Sequence, residues 1–324
     1  MKKKRSTFLS LLIKMVVTVS LITVVCMKVD FSALSRHLDS AAFVGLSLGT
    51  SLLIANVILV AFRWWFILRR LDVRSVPAGY AIATTYASVL VGQVTPAVIG
   101  ADAARAWFCR QRGVGLRTAI MSLVTDRLLA AFGVVVVAAA SIALFGNPAE
   151  PIGRIIGLLG TIPIIIAILF WAVPAVLRAF VRWPRLQPLI EMTAMFRLVA
   201  RSRDGALAIA LSCIVTALTT TAVVLFARGF NIGLSPAAAF LVVPISILVA
   251  GLPISIAGWG IREASLSYGL TFFGVAPQDA ALLGLTLGVG LLLASLPGGW
   301  FMLLLGPKHW LAPYKDDKAF EKAR

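Results

Sequence analysis

Residues 95–105, TPAVIGADAAR, and residues 252–262, LPISIAGWGIR, decide how this chain is read. In each, a proline stands nine residues before an arginine, with glycine between and apolar sequence on both sides. Pro96 and Pro253, with Gly100, Gly258 and Gly260, interrupt helices. Arg105 and Arg262 are costly in lipid. The two segments lie 157 residues apart, about half of the 324-residue chain. That offset aligns Pro96 with Pro253, Ile99 with Ile256 and Arg105 with Arg262. Such a combination, placed twice at membrane depth, predicts a site built from an internal repeat.

The flanking sequence supplies the membrane. The chain is 60% hydrophobic with a mean hydropathy of +0.97, which excludes an ordinary soluble domain. A helical span needs about 20 apolar residues. Six runs meet this, at about 8–29, 41–62, 118–145, 155–176, 206–228 and 280–305. Two further apolar stretches, 79–96 and 236–253, run into the proline segments. The longest polar interval, about 177–205, is too short to fold alone. The expectation is one all-α polytopic domain over 1–324, with six full spans, two re-entrant helical hairpins and a short cytoplasmic tail at 306–324. The run behind Lys2, Lys3, Lys4 and Arg5 is too long for a typical signal-peptide core, so it is read as an uncleaved first span.

Charge sets the topology. A net charge of +17 in a soluble protein suggests nucleic acid, but here the basic residues cluster in loops between spans, as the positive-inside rule requires. If 79–96 crossed fully, Arg105, Arg110, Arg112 and Arg117 would lie outside. If 79–107 dips in and returns, they stay inside. With 236–273 dipping in from the opposite face, 23 of the 30 basic residues fall on the cytoplasmic side, Arg63, Arg69 and Arg70 among them. Both termini are then cytoplasmic. Each half reads span, span, hairpin, span, over about 8–145 and 155–305. Three spans separate the hairpins, so the second half is inverted. Inverted repeats with broken helices are a recurring transporter design.

The candidate site residues follow. Non-helical backbone at membrane depth is tolerated where it is buried in protein or lines a wet cavity. Asp102 is read as the cap of a helix restarting after Gly100, and the helix after Gly260 leads into Arg262 and Glu263. Helix N-termini attract anions, and arginine recognises phosphate bidentately. Asp126 and Arg127 lie about eight residues into an apolar span, where ionisable residues are normally paired. Their expected partners are Arg262 and Glu263 of the other half. Arg63, Trp64, Trp65 and Trp107 are read as interfacial anchors. Gly45/Gly49, Gly153/Gly157 and Gly284/Gly288 have the spacing of close helix packing. Gln93, Thr95 and Ser255 line a polar path or satisfy freed backbone groups. Cys26, Cys109 and Cys213 show no pairing pattern, and His37 and His309 are isolated, so neither a metal nor another cofactor is expected.

The chain resembles the lysylphosphatidylglycerol synthase transmembrane-region family, also called flippase-like membrane proteins, over about residues 10–305. The resemblance rests on the run from Pro96 through Gly100 and Asp102 to Arg105, on Asp126-Arg127, and on Leu252-Pro253 through Gly258, Gly260 and Arg262-Glu263. In larger members such a domain precedes a soluble aminoacyl-transferase domain and moves the modified lipid between leaflets. This chain ends near Arg324, so the resemblance implies translocation without synthesis.

The reading that results is a bacterial inner-membrane lipid translocase, not an enzyme. Its cargo is a lipid with an anionic phosphate headgroup, such as an aminoacylated phospholipid or a polyprenyl-linked lipid. Arg262, Arg127 and Arg105 hold the phosphate; Glu263, Asp126 and Asp102 orient them. No nucleotide-binding motif occurs, so energy comes from an ion gradient or the process is downhill. Two alternatives stay open. One is a polyprenyl-linked transferase using Asp102, Asp126 or Glu263. The other is a subunit partnering a lipid-modifying enzyme through 177–205.

Overall fold

A computed structural model describes residues 40–95, 97–145, 187–251, 255 and 258–305, with isolated positions 23 and 27. The expected spans 8–29 and 155–176, the basic N-terminus, Pro96, Pro253, Gly153, Gly157, Cys26, both histidines and the tail at 306–324 lie outside the described residues. Among the described residues the order is α1 (Ser40–Arg70), α2 (Ala78–Val94), α3 (Ala97–Gln111), α4 (Leu116–Phe145), α5 (Gln187–Ala200), α6 (Arg203–Gly229), α7 (Pro236–Ala250), α8 (Ile261–Thr271), α9 (Pro277–Ser295) and α10 (Pro297–Leu305). No strand occurs among them.

Among the described residues, four helices are long and apolar enough to cross a membrane: α1, α4, α6 and the nearly continuous α9–α10. They correspond to the expected spans 41–62, 118–145, 206–228 and 280–305. At 1.5 Å per residue, their 27–31 residues extend roughly 40–46 Å, beyond the ~30 Å hydrocarbon core. By contrast, α2, α3, α7 and α8 have 17, 15, 15 and 11 residues, too short to cross alone. The interval 177–205, expected to be a polar loop, contains α5. Its Phe196 and Val199 join Ile67, Leu129 and Ala208 in a buried cluster.

The connections repeat. After α1, Asp72 takes a left-handed conformation (φ 58°), and the Val73 N–H reaches back to the Leu68 carbonyl at 3.0 Å. After α6, Asn231 (φ 54°) does the same, with Ile232 N–H bonded to Ala227 O at 2.8 Å. Gly113 (φ 75°) ends α3 with Val114 N–H on Cys109 O, and Gly274 (φ 80°) ends α8 with Val275 N–H on Leu270 O. Each is a six-to-one C-terminal cap, which needs a residue tolerant of positive φ. Both pairs recur at offsets of 159 and 161 residues, close to the offset of the proline segments.

Packing follows the same correspondence. Helix α1 lies along α6 in the most extensive helix contact of the fold. Helix α4 packs on α6 and α7, as α9 packs on α1 and, with α10, on α2. Helices α2 and α3 pack on each other, as do α7 and α8. Glycine lets α1 and α6 approach: a Cβ on Gly45 would lie 2.6 Å from the Leu225 carbonyl oxygen and 2.9 Å from Gly229 Cα. Gly49 faces the Phe226 ring. Leu53, Phe226, Val243, Leu266 and Leu287 fill the space between α1, α6, α7, α8 and α9. Small residues at such crossings gain dispersion contact where lipid offers no hydrophobic drive.

Gly45→Val is therefore expected to push α1 off α6 and cost about 1–3 kcal/mol, as overpacking of a close contact does. Thermal unfolding in detergent checks this. Gly115→Ala, at a position with open space around its Cα, is expected to leave the transition unmoved.

Candidate functional site: an arginine–aspartate network beside an intramembrane cavity

The polar centre of the molecule is assembled from α1, α3, α4 and α6. Arg63 of α1 grips Asp126 of α4 with both arms, Nε to Oδ1 at 2.7 Å and Nη2 to Oδ2 at 3.1 Å. Its Nη1 donates to Ser212 Oγ of α6 at 3.4 Å. Arg105 of α3 donates from Nη1 to the same Asp126 Oδ2 at 3.3 Å and lies 3.7 Å from Asp102 Oδ1, one turn away on its own helix. Asp102 in turn receives a fork from Arg127, at 3.0 and 2.7 Å. The chain of contacts runs Arg63–Asp126–Arg105–Asp102–Arg127: three guanidiniums on two carboxylates, one positive charge in excess.

Burial is graded along it. Asp126 is fully buried, and Arg63 and Arg105 are 3% and 2% exposed, whereas the Arg127 side chain is 40% exposed. Trp64 closes the inner end. Its indole donates to Ser122 Oγ at 3.1 Å, and the Arg105 guanidinium sits 5.5 Å from its ring centroid. Arg105 Nε is buried with no protein partner. Depth is shared as well. Arg63 lies seven residues before Arg70, Asp126 ten after Leu116 and Ser212 nine after Arg203. At 1.5 Å per residue these side chains sit about 10–15 Å in from the same ends of three spans.

Arg63, Arg105 and Arg127 line a cavity of about 340 Å³, with Asn56, Gln93, Thr216 and Thr219 as its other polar lining and Leu53, Val57, Val134, Ile247 and Leu291 among the apolar lining. Asn56 Nδ2 donates to Val215 O at 3.2 Å and Thr219 Oγ1 at 2.7 Å, tying α1 to α6 beside the space.

Several sequence expectations change here. Asp126 and Arg127 do not pair with Arg262 and Glu263. A one-residue step turns a helix by about 100°, so Asp126 faces α1 and α3 while Arg127 reaches the cavity and Asp102. Arg262 pairs instead with its own neighbour, donating from Nε (3.0 Å) and Nη2 to Glu263 Oε1, while Glu263 Oε2 accepts from Gly260 N–H at 2.6 Å. This pair caps α8 in a slot formed by Trp259, Gly284 and Gly288; a Cβ on Gly288 would lie 2.6 Å from Glu263 Oε1. Neither Arg262 nor Glu263 lines the cavity.

Asp102 is not a helix cap, because α3 begins at Ala97, and Gly100 lies within α3 rather than at the break. The side chain of Thr95 occupies the space where a Gly100 Cβ would stand. The first break is at Thr95, which is extended. The second falls as expected at Gly258 (φ 74°) and Gly260 (φ 83°). Gln93 lines the cavity; Thr95 donates to Val91 O at 2.9 Å; Ser255 is buried away from the cavity.

Arg63 and Trp64, read as interfacial anchors, are core residues, because α1 continues eight residues past the expected end of its span. Trp65, with Arg69 stacked 4.8 Å from its ring centroid, keeps a position compatible with the interface. The signal for Arg63 is its place nearly two turns before the terminal Arg69-Arg70 pair.

Removing one member of a buried ion pair leaves the other charge uncompensated, at about 3–5 kcal/mol. Asp126→Asn, which strands two buried guanidiniums, is expected to cost at least that in thermal or chemical unfolding; Asp102→Asn, beside the half-exposed Arg127, is expected to cost much less. Arg262→Ala, which leaves Glu263 buried without its guanidinium, is expected to lower stability by a similar 3–5 kcal/mol.

The fold and this network can be set beside known proteins. No curated protein and no solved structure matches the chain. A family profile does, described as the lysylphosphatidylglycerol synthase TM region, and it covers residues 11–298. A helical membrane domain with four described spanning helices and a match over most of its length belongs to the lysylphosphatidylglycerol synthase transmembrane-region family.

Proposed function

We propose that this protein is a lipid translocase that moves a phosphate-bearing lipid between the leaflets of a bacterial inner membrane. The observation that carries the reading is the cavity among the spanning helices, lined by Arg63, Arg105 and Arg127. A phosphate held there is out of water, where charge-assisted hydrogen bonds are strongest. Arg127, half-exposed, meets the headgroup first. Arg105 lines the cavity deeper in. Asp126 and Asp102 hold the guanidiniums in place. The acyl tails stay in lipid.

The transport geometry proposed is an inverted repeat. Helices α2–α3 and α7–α8 form two re-entrant hairpins opening to opposite faces, and 8–29 and 155–176 complete six spans with both termini cytoplasmic. The short lengths of these helices and the matched caps after α1, α6, α3 and α8 support it. The two hairpins expose the cavity alternately. The Arg262–Glu263 pair fixes the start of α8 in this scheme and does not touch the cargo.

Transport is preferred to catalysis because both carboxylates of the network are saturated. Asp102 and Asp126 each face two guanidiniums. Carboxylate oxygens engaged by guanidiniums in this way are not placed to meet a substrate's proton.

Arg127→Ala is the direct test, because it removes a cavity guanidinium and leaves Asp102 beside Arg105. In protein-containing vesicles loaded with a fluorescent anionic phospholipid, outward movement read by dithionite quenching is expected to fall at least tenfold. The unfolding transition is expected to stay within a few degrees of the parent. Unchanged movement in a folded Arg127→Ala protein would overturn the phosphate site.

A further inference from the structure

The cavity changes character along its helices. Its arginines gather at one end, where Arg63, Arg105 and Arg127 share the two aspartates. On α1 the lining runs on from Arg63 through Val60 and Val57 to Leu53, ten residues away. On α4 it runs on from Arg127 through Ala130 to Val134, seven residues away. Both steps lead away from the Arg70 and Leu116 ends of these spans. At 1.5 Å per residue they carry the space roughly 10–15 Å beyond the guanidiniums. There the wall is apolar. Ile247 of α7 and Leu291 of α9 join Leu53 and Val134 in the lining. A Cβ on Gly290 would stand 2.9 Å from Leu53 Cδ1, so α9 meets α1 at this level.

The neutral polar side chains between the two ends are occupied with the protein itself. Thr216 and Thr219 donate their hydroxyl protons to Ser212 O and Val215 O, each at 3.0 Å. The Asn56 amide nitrogen is tied to Val215 O and Thr219 Oγ1, and the amide oxygens of Asn56 and Gln93 are shielded from the space. A phosphate at the arginines would therefore fill one end and leave an apolar recess beside it. Apolar surface is best covered by an apolar group. We infer that the phosphate is bound together with the start of one apolar chain, which runs into the recess formed by Leu53, Val134, Ile247 and Leu291. The volume of about 340 Å³ admits about ten groups the size of a water molecule, at roughly 30 Å³ each. That is a phosphate and the first atoms of one chain, not a whole lipid. The rest of the tail, and any second tail, stays in the bilayer. The inference rests on the phosphate site of the translocase reading and deepens it: the cargo sits with its phosphate toward the Arg70 end of α1 and its chain toward the Ser40 end. The ligand chemistry is a phosphate ester with an apolar chain close behind it, which a glycerophospholipid and a prenyl phosphate both supply.

Ethyl phosphate and octyl phosphate separate the two ends of the site. Their binding to the maltoside-solubilised protein is measured by native mass spectrometry. Octyl phosphate is expected to bind the parent at least tenfold more tightly than ethyl phosphate. Val134→Trp and Leu291→Trp, which fill the recess, are expected to bring that ratio below threefold while ethyl phosphate binds as in the parent. Leu293→Trp, on the exposed side of α9, is expected to keep the parental ratio. Equal binding of the two esters to the parent overturns the chain recess and leaves the phosphate site standing, whereas binding of neither removes both. An undiminished ratio in both folded recess variants also overturns the recess. Displacement of octyl phosphate by phosphatidylglycerol or by farnesyl phosphate identifies which class of lipid supplies the chain; displacement by neither counts against the assignment. A chain-length effect of the expected size in a protein that moves no labelled lipid in vesicles would sink the translocase reading alone.

Discussion

One carboxylate holds the centre of this membrane domain together. Asp126 is fully buried and carries two guanidiniums that arrive on different helices, Arg63 from α1 and Arg105 from α3. In water such contacts contribute little, because solvent screens them. Among apolar spans the alternative to pairing is an isolated charge in low dielectric, which is far more costly. The pairing therefore constrains the packing: α1, α3 and α4 must meet at one depth and with one rotation. Ser212 brings α6 to the same point through Arg63, and Trp64 roofs it. The cavity is the space left beside this junction.

Much of the fold is readable from sequence because lipid imposes a simple rule. A helix that must satisfy its own backbone in hydrocarbon needs a long apolar run, and four such runs became α1, α4, α6 and α9–α10. The second break was readable too, since Gly258 and Gly260 adopt positive φ. What failed was the assignment of partners. Asp126 and Arg127 were correctly singled out as paired and differently directed. Their partners depend on helix rotation and on where α1 ends, and neither is encoded in spacing. Arg63 was lost because Arg-Trp-Trp is also the composition of a membrane interface. Only the continuation of α1 to Arg70 tells the two apart. Arg262 and Glu263 are expected from sequence as partners of Asp126 and Arg127 across the repeat, not of each other. At a helix start the third residue turns back toward the cap, and there Glu263 meets both the Gly260 N–H and the Arg262 guanidinium.

Helices with matching caps serve different ends. Matching caps follow α1 and α6, and α3 and α8, so the path of the chain is similar in both. The charged residues at corresponding elements behave differently. Arg105 in α3 joins a shared network open to a cavity, while Arg262 in α8 is neutralised by the next residue and shut in by Gly284 and Gly288. Elements with matching caps thus carry different polar work, α3 facing a charged recess and α8 holding a sealed brace.

The distribution of the Asp126 network along the chain also bears on how the protein is made. Helices enter the membrane in order from the N-terminus. Arg63 and Arg105 both precede Asp126, by 63 and 21 residues. Two guanidiniums are thus synthesised before the carboxylate they share, with Asp102 alone already beside Arg105. Until α4 arrives, the earlier segments carry uncompensated charge that favours the interface or the insertion machinery over the lipid. The Asp126 pairing is therefore complete only once α4 has joined α1 and α3.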